Sequence, residues 1–195
     1  MGRLAVLASG NGSNFQALVE GLRAGGRHDV ALLLCDRPGV FALERAERLG
    51  VPARVVRYAG RPRAEAEAEM DRALRDVGAD LVALAGFMRL LGPGFVAGWR
   101  GRLVNIHPAL LPAYPGSDAI RRAWEAGERV SGVTVHWVDE GMDTGAVIER
   151  AEVPFAPGSS LEDVEAAVHR AEHALYVRIV AWLLDAGIQA AGAST

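Results

Sequence analysis

Apolar residues fall along this chain in two rhythms. Short unbroken runs occur at Leu4-Ala5-Val6-Leu7-Ala8, at positions 30–35 and at Leu81-Val82-Ala83-Leu84-Ala85. Runs of this length without polar residues suit strands buried on both faces. Ala53-Arg54-Val55-Val56 reads as a weaker strand. Leu103-Val104-Asn105-Ile106-His107 reads as another, which Pro108 must end because proline has no N–H for a ladder bond. Between these runs the spacing changes to three and four. Phe15, Leu18, Val19 and Leu22 predict a helix over 15–23 that Gly25-Gly26 terminates. Further helices are predicted over 41–49, stopped by Gly50, over the Ala, Glu and Arg-rich 63–77, and over 119–126 before Gly127. The segment 90–99 has no period and reads as irregular, and His28 falls in a loop.

After Gly132 the rhythm is different again. Positions 132–138 and 146–153 are two strands joined only by the loop 139–145, so they should pair antiparallel. Ser160-Leu161-Glu162-Asp163 resembles a capping box. It opens a long helix with Leu161, Val164, Val168, Ala171, Leu175, Ile179 and Trp182 on one stripe. Strands alternating with helices imply right-handed βαβ units and a parallel sheet. The expected fold is α/β, doubly wound and mostly parallel, with an antiparallel C-terminal portion and a long C-terminal helix. One domain over 1–188 is expected, with 189–195 a frayed tail.

Composition narrows the function classes. Half of the 195 residues are apolar and the net charge is −3, with arginines scattered, so no basic footprint for nucleic acid exists. The single Cys35 excludes an internal disulfide and a cysteine-rich metal site. No apolar run reaches the roughly 20 residues of a membrane span, and the apolar stretch after Arg3 is too short for a secretory signal. A cytoplasmic protein with neither membrane nor nucleic-acid partner is expected.

Chemistry concentrates in three places. Residues two apart on a strand share a face, so Asn105 and His107 stand side by side at a strand's carboxyl end, where open α/β sheets bind ligands. The turn Ser9-Gly10-Asn11-Gly12-Ser13-Asn14 joins a buried strand to a helix, with Ser13 or Asn14 available as a cap. Free N–H groups at such a helix start attract anions. With neither a Walker lysine nor a third dinucleotide glycine, a phosphate monoester fits better than a pyrophosphate. The imidazole needs a charge partner. Asp143 is the best placed, in a glycine-containing loop, with Asp139 and Glu140 as competitors. A carboxylate there favours an imidazolium able to stabilise an oxyanion or pass a proton. His136 reads as structural, and Arg89, just after a strand, as a ligand contact. The His169–His173 pair has helical spacing for a metal but lacks a third ligand, so no metal is expected. Glu172 and Arg63 read as parts of solvated helix faces.

Three stretches together resemble the glycinamide ribonucleotide formyltransferases, folate-dependent enzymes of purine synthesis: Ser9-Gly-Asn-Gly-Ser-Asn14, Ala85-Gly-Phe-Met-Arg89 and Asn105-Ile-His-Pro-Ala-Leu-Leu-Pro-Ala-Tyr-Pro-Gly116. The Asp143 loop and Glu172-His173 follow at matching distances. The resemblance implies a Rossmann-like formyltransferase fold and formyl transfer from 10-formyltetrahydrofolate to 5'-phosphoribosylglycinamide in de novo purine biosynthesis. It implies that Asn105 and His107 flank the formyl group and that Asp143 keeps the histidine protonated. It further implies that Asn11, Gly12, Ser13 and Asn14 hold the phosphate and that Glu172 contacts the glycinamide end. Arg63, Met88, Arg89, Leu90, Leu91, Asn105, Asp139, Glu140 and Gly141 then face the folate. Asp118 stands where some relatives carry histidine. The enzyme would act as a monomer or homodimer on small molecules alone. The alternatives are a related folate-dependent formyltransferase, a formyltetrahydrofolate hydrolase, or a non-catalytic phosphate-binding module. Hydrolases usually carry an added N-terminal regulatory domain and the initiator-tRNA enzyme an added C-terminal RNA-binding one, which the strand start at residue 4 and the end at 195 do not match.

Overall fold

The computed structural model describes residues 1–187. Position 188 and the tail 189–195, expected to fray, lie outside the described residues. The chain runs β1 (Gly2–Ala8), α1 (Ser13–Gly25), β2 (His28–Cys35), α2 (Phe41–Leu49), β3 (Ala53–Val55), α3 (Arg63–Asp76) and β4 (Leu81–Leu84). It continues α4 (Pro93–Gly98), β5 (Leu103–His107), α5 (Ala119–Glu125), β6 (Val130–Trp137), β7 (Val147–Pro154) and α6 (Leu161–Asp185). The strands form one sheet in the order β3-β2-β1-β4-β5-β6-β7. Strands β1 to β5 pair in parallel, and β6 and β7 are added antiparallel.

Strand alternation divides the core into two layers. Leu4, Val6 and Ala8 face α1, α2 and α6, while Ala5 and Leu7 face α3 and α4. Each β1 side chain from Leu4 to Ala8 is fully buried, which explains a run with no polar break. Because β2 and β4 flank β1 on opposite sides, the winding reverses between β1 and β4. The carboxyl ends of β1, β4 and β5 therefore open onto one crevice.

Three expectations need correcting. The segment expected to be irregular contains the short helix α4, with Pro93 at its start, where a missing N–H costs nothing. His28 begins β2 rather than lying in a loop. It is buried, accepting from the Gly2 N–H and bonded to Asp185. Trp182 is 57% exposed and leaves the buried stripe of α6. Leu183, four residues beyond Ile179, takes the inward position, because a straight helix drifts from a strict three-four alternation over seven turns. The start of α6 matches its motif. Asp163 N–H donates to Ser160 Oγ at 3.1 Å, and that hydroxyl donates to the Asp163 carboxylate at 2.6 Å. Such a cap contributes about 1 kcal/mol.

Candidate active site

Strand β5 ends as its sequence dictates, with Asn105 and His107 on one face and Pro108 stopping the ladder. The antiparallel register sets His136 of β6 opposite Asn105, and Thr134 opposite His107. Two polar pairs thus meet across the ladder. Thr134 is fully buried and acts as a clasp. Its hydroxyl donates to Ala109 O at 2.6 Å and accepts from Leu111 N–H at 3.1 Å, fixing the chain that leaves His107.

The β6–β7 loop closes over this pair. Gly145 makes the closure possible, because a β-carbon there would lie 1.8 Å from Trp137 O. Asp143 sits in the left-handed region at φ 56°, a conformation that aspartate tolerates better than most residues. Its Oδ2 accepts from Gly116 N–H at 2.8 Å and lies 3.4 Å from His107 Nδ1. Its Oδ1 accepts from Asn105 Nδ2 at 3.3 Å and lies 3.6 Å from His136 Nε2. One carboxylate therefore touches Asn105, His107 and His136. The contact with His136 foremost, then the Gly116 N–H and the charge of His107, hold its pKa down to about 2 against the opposing effect of burial.

Hydrogen bonds also set the histidine tautomers. His107 Nε2 lies 2.8 Å from Tyr114 O, and a carbonyl only accepts, so Nε2 carries a proton. Nδ1 faces Asp143. His136 Nδ1 is 2.8 Å from Trp137 O and donates there, while Nε2 lies 3.2 Å from Asn105 Nδ2 and 3.6 Å from Asp143 Oδ1. His136, read as structural, has contacts that the sequence did not show. It is buried in contact with two of the three candidate catalytic groups.

On the other wall, the turn Ser9–Asn14 leaves β1. Gly12 has φ 78° and packs on α2, where a β-carbon would come within 2.7 Å of Ala42. Gly12, not Ser13 or Asn14, occupies the N-cap of α1, and no side chain caps the helix. The first-turn N–H groups of α1 have no partner within the helix. Asn14 Nδ2 donates instead to Glu172 Oε1 at 3.2 Å. Glu172 is only 4% exposed, so it is not part of a solvated face, and its other oxygen bonds His169 Nδ1 at 2.6 Å. That bond raises the His169 pKa, whereas burial lowers that of His173. Among the described residues no cluster of three His, Cys, Asp or Glu is arranged to hold a metal.

The segment after β4 joins the two walls. Met88 N–H donates to Ser9 Oγ at 2.9 Å, and Arg89 Nε to the buried Asp36 at 2.8 Å. Met88, Leu90 and Met142 stand 65%, 51% and 59% exposed, apolar surface that a ring system can cover. Leu91 turns its side chain into the core, so only its backbone can meet a ligand. Asp139 Oδ1 accepts from Gly141 N–H and Thr144 Oγ1 within its own loop, with Glu140 exposed beside it. Arg63 lies against Glu67 and against Gly92, the residue after Leu91, between α3 and α4. The residues missed from the sequence are Ser9, Thr134, His136 and the Tyr114 carbonyl. Thr134 and His136 left a signal, as the only two polar residues sharing a phase in the interior of β6.

Known proteins place this arrangement. The sequence model of the formyl transferase family matches residues 2–180. Phosphoribosylglycinamide formyltransferase of Bacillus subtilis is 42% identical over 94% of this chain and 95% of its own length. The trifunctional purine biosynthetic protein adenosine-3 of Drosophila melanogaster is 48% identical over 94% of this chain, which spans only 14% of that protein. The crystal structure of glycinamide ribonucleotide transformylase 1 from Geobacillus kaustophilus superposes with a TM-score of 0.90 at 50% identity, covering 94% of this chain and 99% of that one. With nearly the whole length matched in sequence and in fold, the chain belongs to the formyl transferase family, and within it to the phosphoribosylglycinamide formyltransferases.

Proposed function

We propose that this chain transfers a formyl group from 10-formyltetrahydrofolate to the primary amine of 5'-phosphoribosylglycinamide, a step of purine biosynthesis. The observation that carries this reading is the single Asp143 carboxylate touching both Asn105 and His107 at the end of β5. The ribonucleotide phosphate rests on the turn Asn11–Asn14, and Glu172 faces the glycinamide end. The folate lies along Met88–Leu91 and the loop Asp139–Gly141, whose exposed Met88, Leu90 and neighbouring Met142 it covers. Arg63, beside Gly92 at the end of that segment, faces the folate as well.

The neutral amine attacks the formyl carbon, forming a C–N bond and placing negative charge on the formyl oxygen. An imidazolium at His107 and the amide of Asn105 stabilise that oxyanion. Asp143, held ionised, balances the imidazolium charge. Collapse breaks the bond from carbon to N10 of the folate as the His107 imidazolium or a water gives N10 a proton, and the proton lost by the former amine then restores that donor. No covalent enzyme intermediate forms, in keeping with a site that holds no nucleophile beside a base.

The assay supplies both substrates, with a control lacking the amine to detect hydrolysis alone. Formylated ribonucleotide is expected only with both present. Asn105→Ala, His107→Ala and Asp143→Ala should each lower turnover by about 10²- to 10⁴-fold with the fold intact. Near-normal turnover in all three folded variants would overturn the assignment.

A further inference from the structure

Helix α2 carries an arginine whose bonds lead straight to the phosphate turn. Arg45 Nε donates to Asn11 O at 2.9 Å and Nη2 to Asn11 Oδ1 at 2.9 Å, while Nη1 donates to Gln16 Oε1. The guanidinium also lies over the Phe41 ring, 4.7 Å from its centroid, which fixes the plane of the fork. Among the described residues Arg45 makes no ion pair. All three acceptors are neutral, so among the described residues no carboxylate lies within ion-pair distance of its charge.

The consequence follows from peptide geometry. In a planar trans peptide the C=O of one residue and the N–H of the next point in opposite directions. Ala42 N–H donates to Gly10 O at 3.1 Å, and Arg45 holds Asn11 O. Two successive carbonyls are thus drawn towards α2, and the N–H groups of Asn11 and Gly12 are turned away from it. They join the unpartnered first-turn N–H groups of α1 in one concave set, the arrangement that binds anions.

We propose that Arg45 is a positioning residue for the phosphate of the ribonucleotide, acting through Asn11 to aim the backbone N–H groups of the turn. This rests on the reading of Asn11–Asn14 as the phosphate turn. Lysine cannot replace such a fork, because an ammonium is a point charge without two parallel donors.

The test uses the full chain and its Arg45→Ala, Arg45→Gln and Arg45→Lys variants. Each is assayed with the ribonucleotide and with its dephosphorylated counterpart, after thermal unfolding has identified the folded variants. Arg45→Ala and Arg45→Gln should raise the ribonucleotide KM about tenfold, a loss of the size expected for charge-assisted hydrogen bonds. Turnover number and folate KM should stay within about twofold, since the reacting groups are untouched. Arg45→Lys should recover less than half of the loss on a logarithmic scale. Wild type and Arg45→Ala should handle the dephosphorylated substrate alike. Full recovery by lysine would overturn the positioning role in favour of charge alone. A parallel loss on the dephosphorylated substrate would overturn it in favour of general support of the site. If wild type itself does not distinguish the two substrates, the phosphate reading of the turn fails, and this proposal with it.

Discussion

Replacing Asp143 with asparagine isolates the charge at the centre of the site. Asparagine keeps the size of the side chain and tolerates the left-handed φ of 56°, so the backbone has no new reason to move. Asp143 is held down to about 2, below the ordinary aspartate range, and its side chain is only 11% exposed. A depression of that size favours the folded state by about 2 kcal/mol while the group is ionised. The sign follows from the direction. A carboxyl depressed on folding stabilises the native state above its unfolded value near 4 and loses that contribution as pH falls towards 2. The assay is urea unfolding of wild type and Asp143→Asn at intervals from pH 7 to pH 3. The stability of wild type relative to Asp143→Asn should fall by about 1 kcal/mol across that range, because titration is then about half complete in free-energy terms. Curves that stay parallel down to pH 3 would refute the ion pairing on which the site is built. Turnover of Asp143→Asn at pH 7 should fall with the other site variants, which ties the same charge to catalysis.

Three further outcomes follow from the same geometry. Gly145→Ala forces a methyl into Trp137 O and must displace the loop bearing Asp143, so turnover should drop about a hundredfold while unfolding shows a folded protein. His136→Ala removes the ring nitrogen beside Asn105 Nδ2 and a contact of Asp143. It should lower kcat about tenfold with both KM values held, as steady-state kinetics would show. Tyr176→Phe deletes a buried hydroxyl whose single proton lies between Leu84 O at 2.9 Å and Val104 O at 3.2 Å, and should cost about 1–3 kcal/mol in urea unfolding.

What could be read beforehand was whatever depends on local spacing. The unbroken apolar runs marked the parallel strands because a strand buried on both faces leaves no room for a polar break. Pro108 marked the end of β5 because proline lacks the donor. Asn105 and His107 shared a face by alternation alone. The partners of those residues were hidden, because partners come from register and register is a tertiary fact. Opposite β5 the chain places β6, whose polar residues Thr134 and His136 meet His107 and Asn105. In the sequence they lie some 30 residues away, among β-branched neighbours that read as core. Glu172 was misleading for a similar reason. On a helix a glutamate is ordinarily solvated, and here Asn14 from α1 together with His169 of its own helix supplies the partners that a buried carboxylate needs. Helix α4 was missed because six residues carry too little period to announce themselves.

The antiparallel addition of β6 explains why the candidate catalytic groups depend on so distant a loop. A parallel neighbour would have needed a crossover of a dozen residues or more, and its return would begin at the far end of the sheet. An antiparallel strand ends where β5 begins, and Val138 N–H still bonds Leu103 O as the chain leaves it. From there the 139–145 loop must run back along β5 to bring Asp143 over Asn105 and His107. That return requires close contact with Trp137, which Gly145 permits, and a left-handed residue, which Asp143 itself supplies. The carboxylate is thus placed by backbone constraints, and its hydrogen bonds to Gly116 and Asn105 secure a position already set by the chain. For that reason substitution at Gly145, which touches no reacting group, should damage catalysis more than its distance from the chemistry alone would imply.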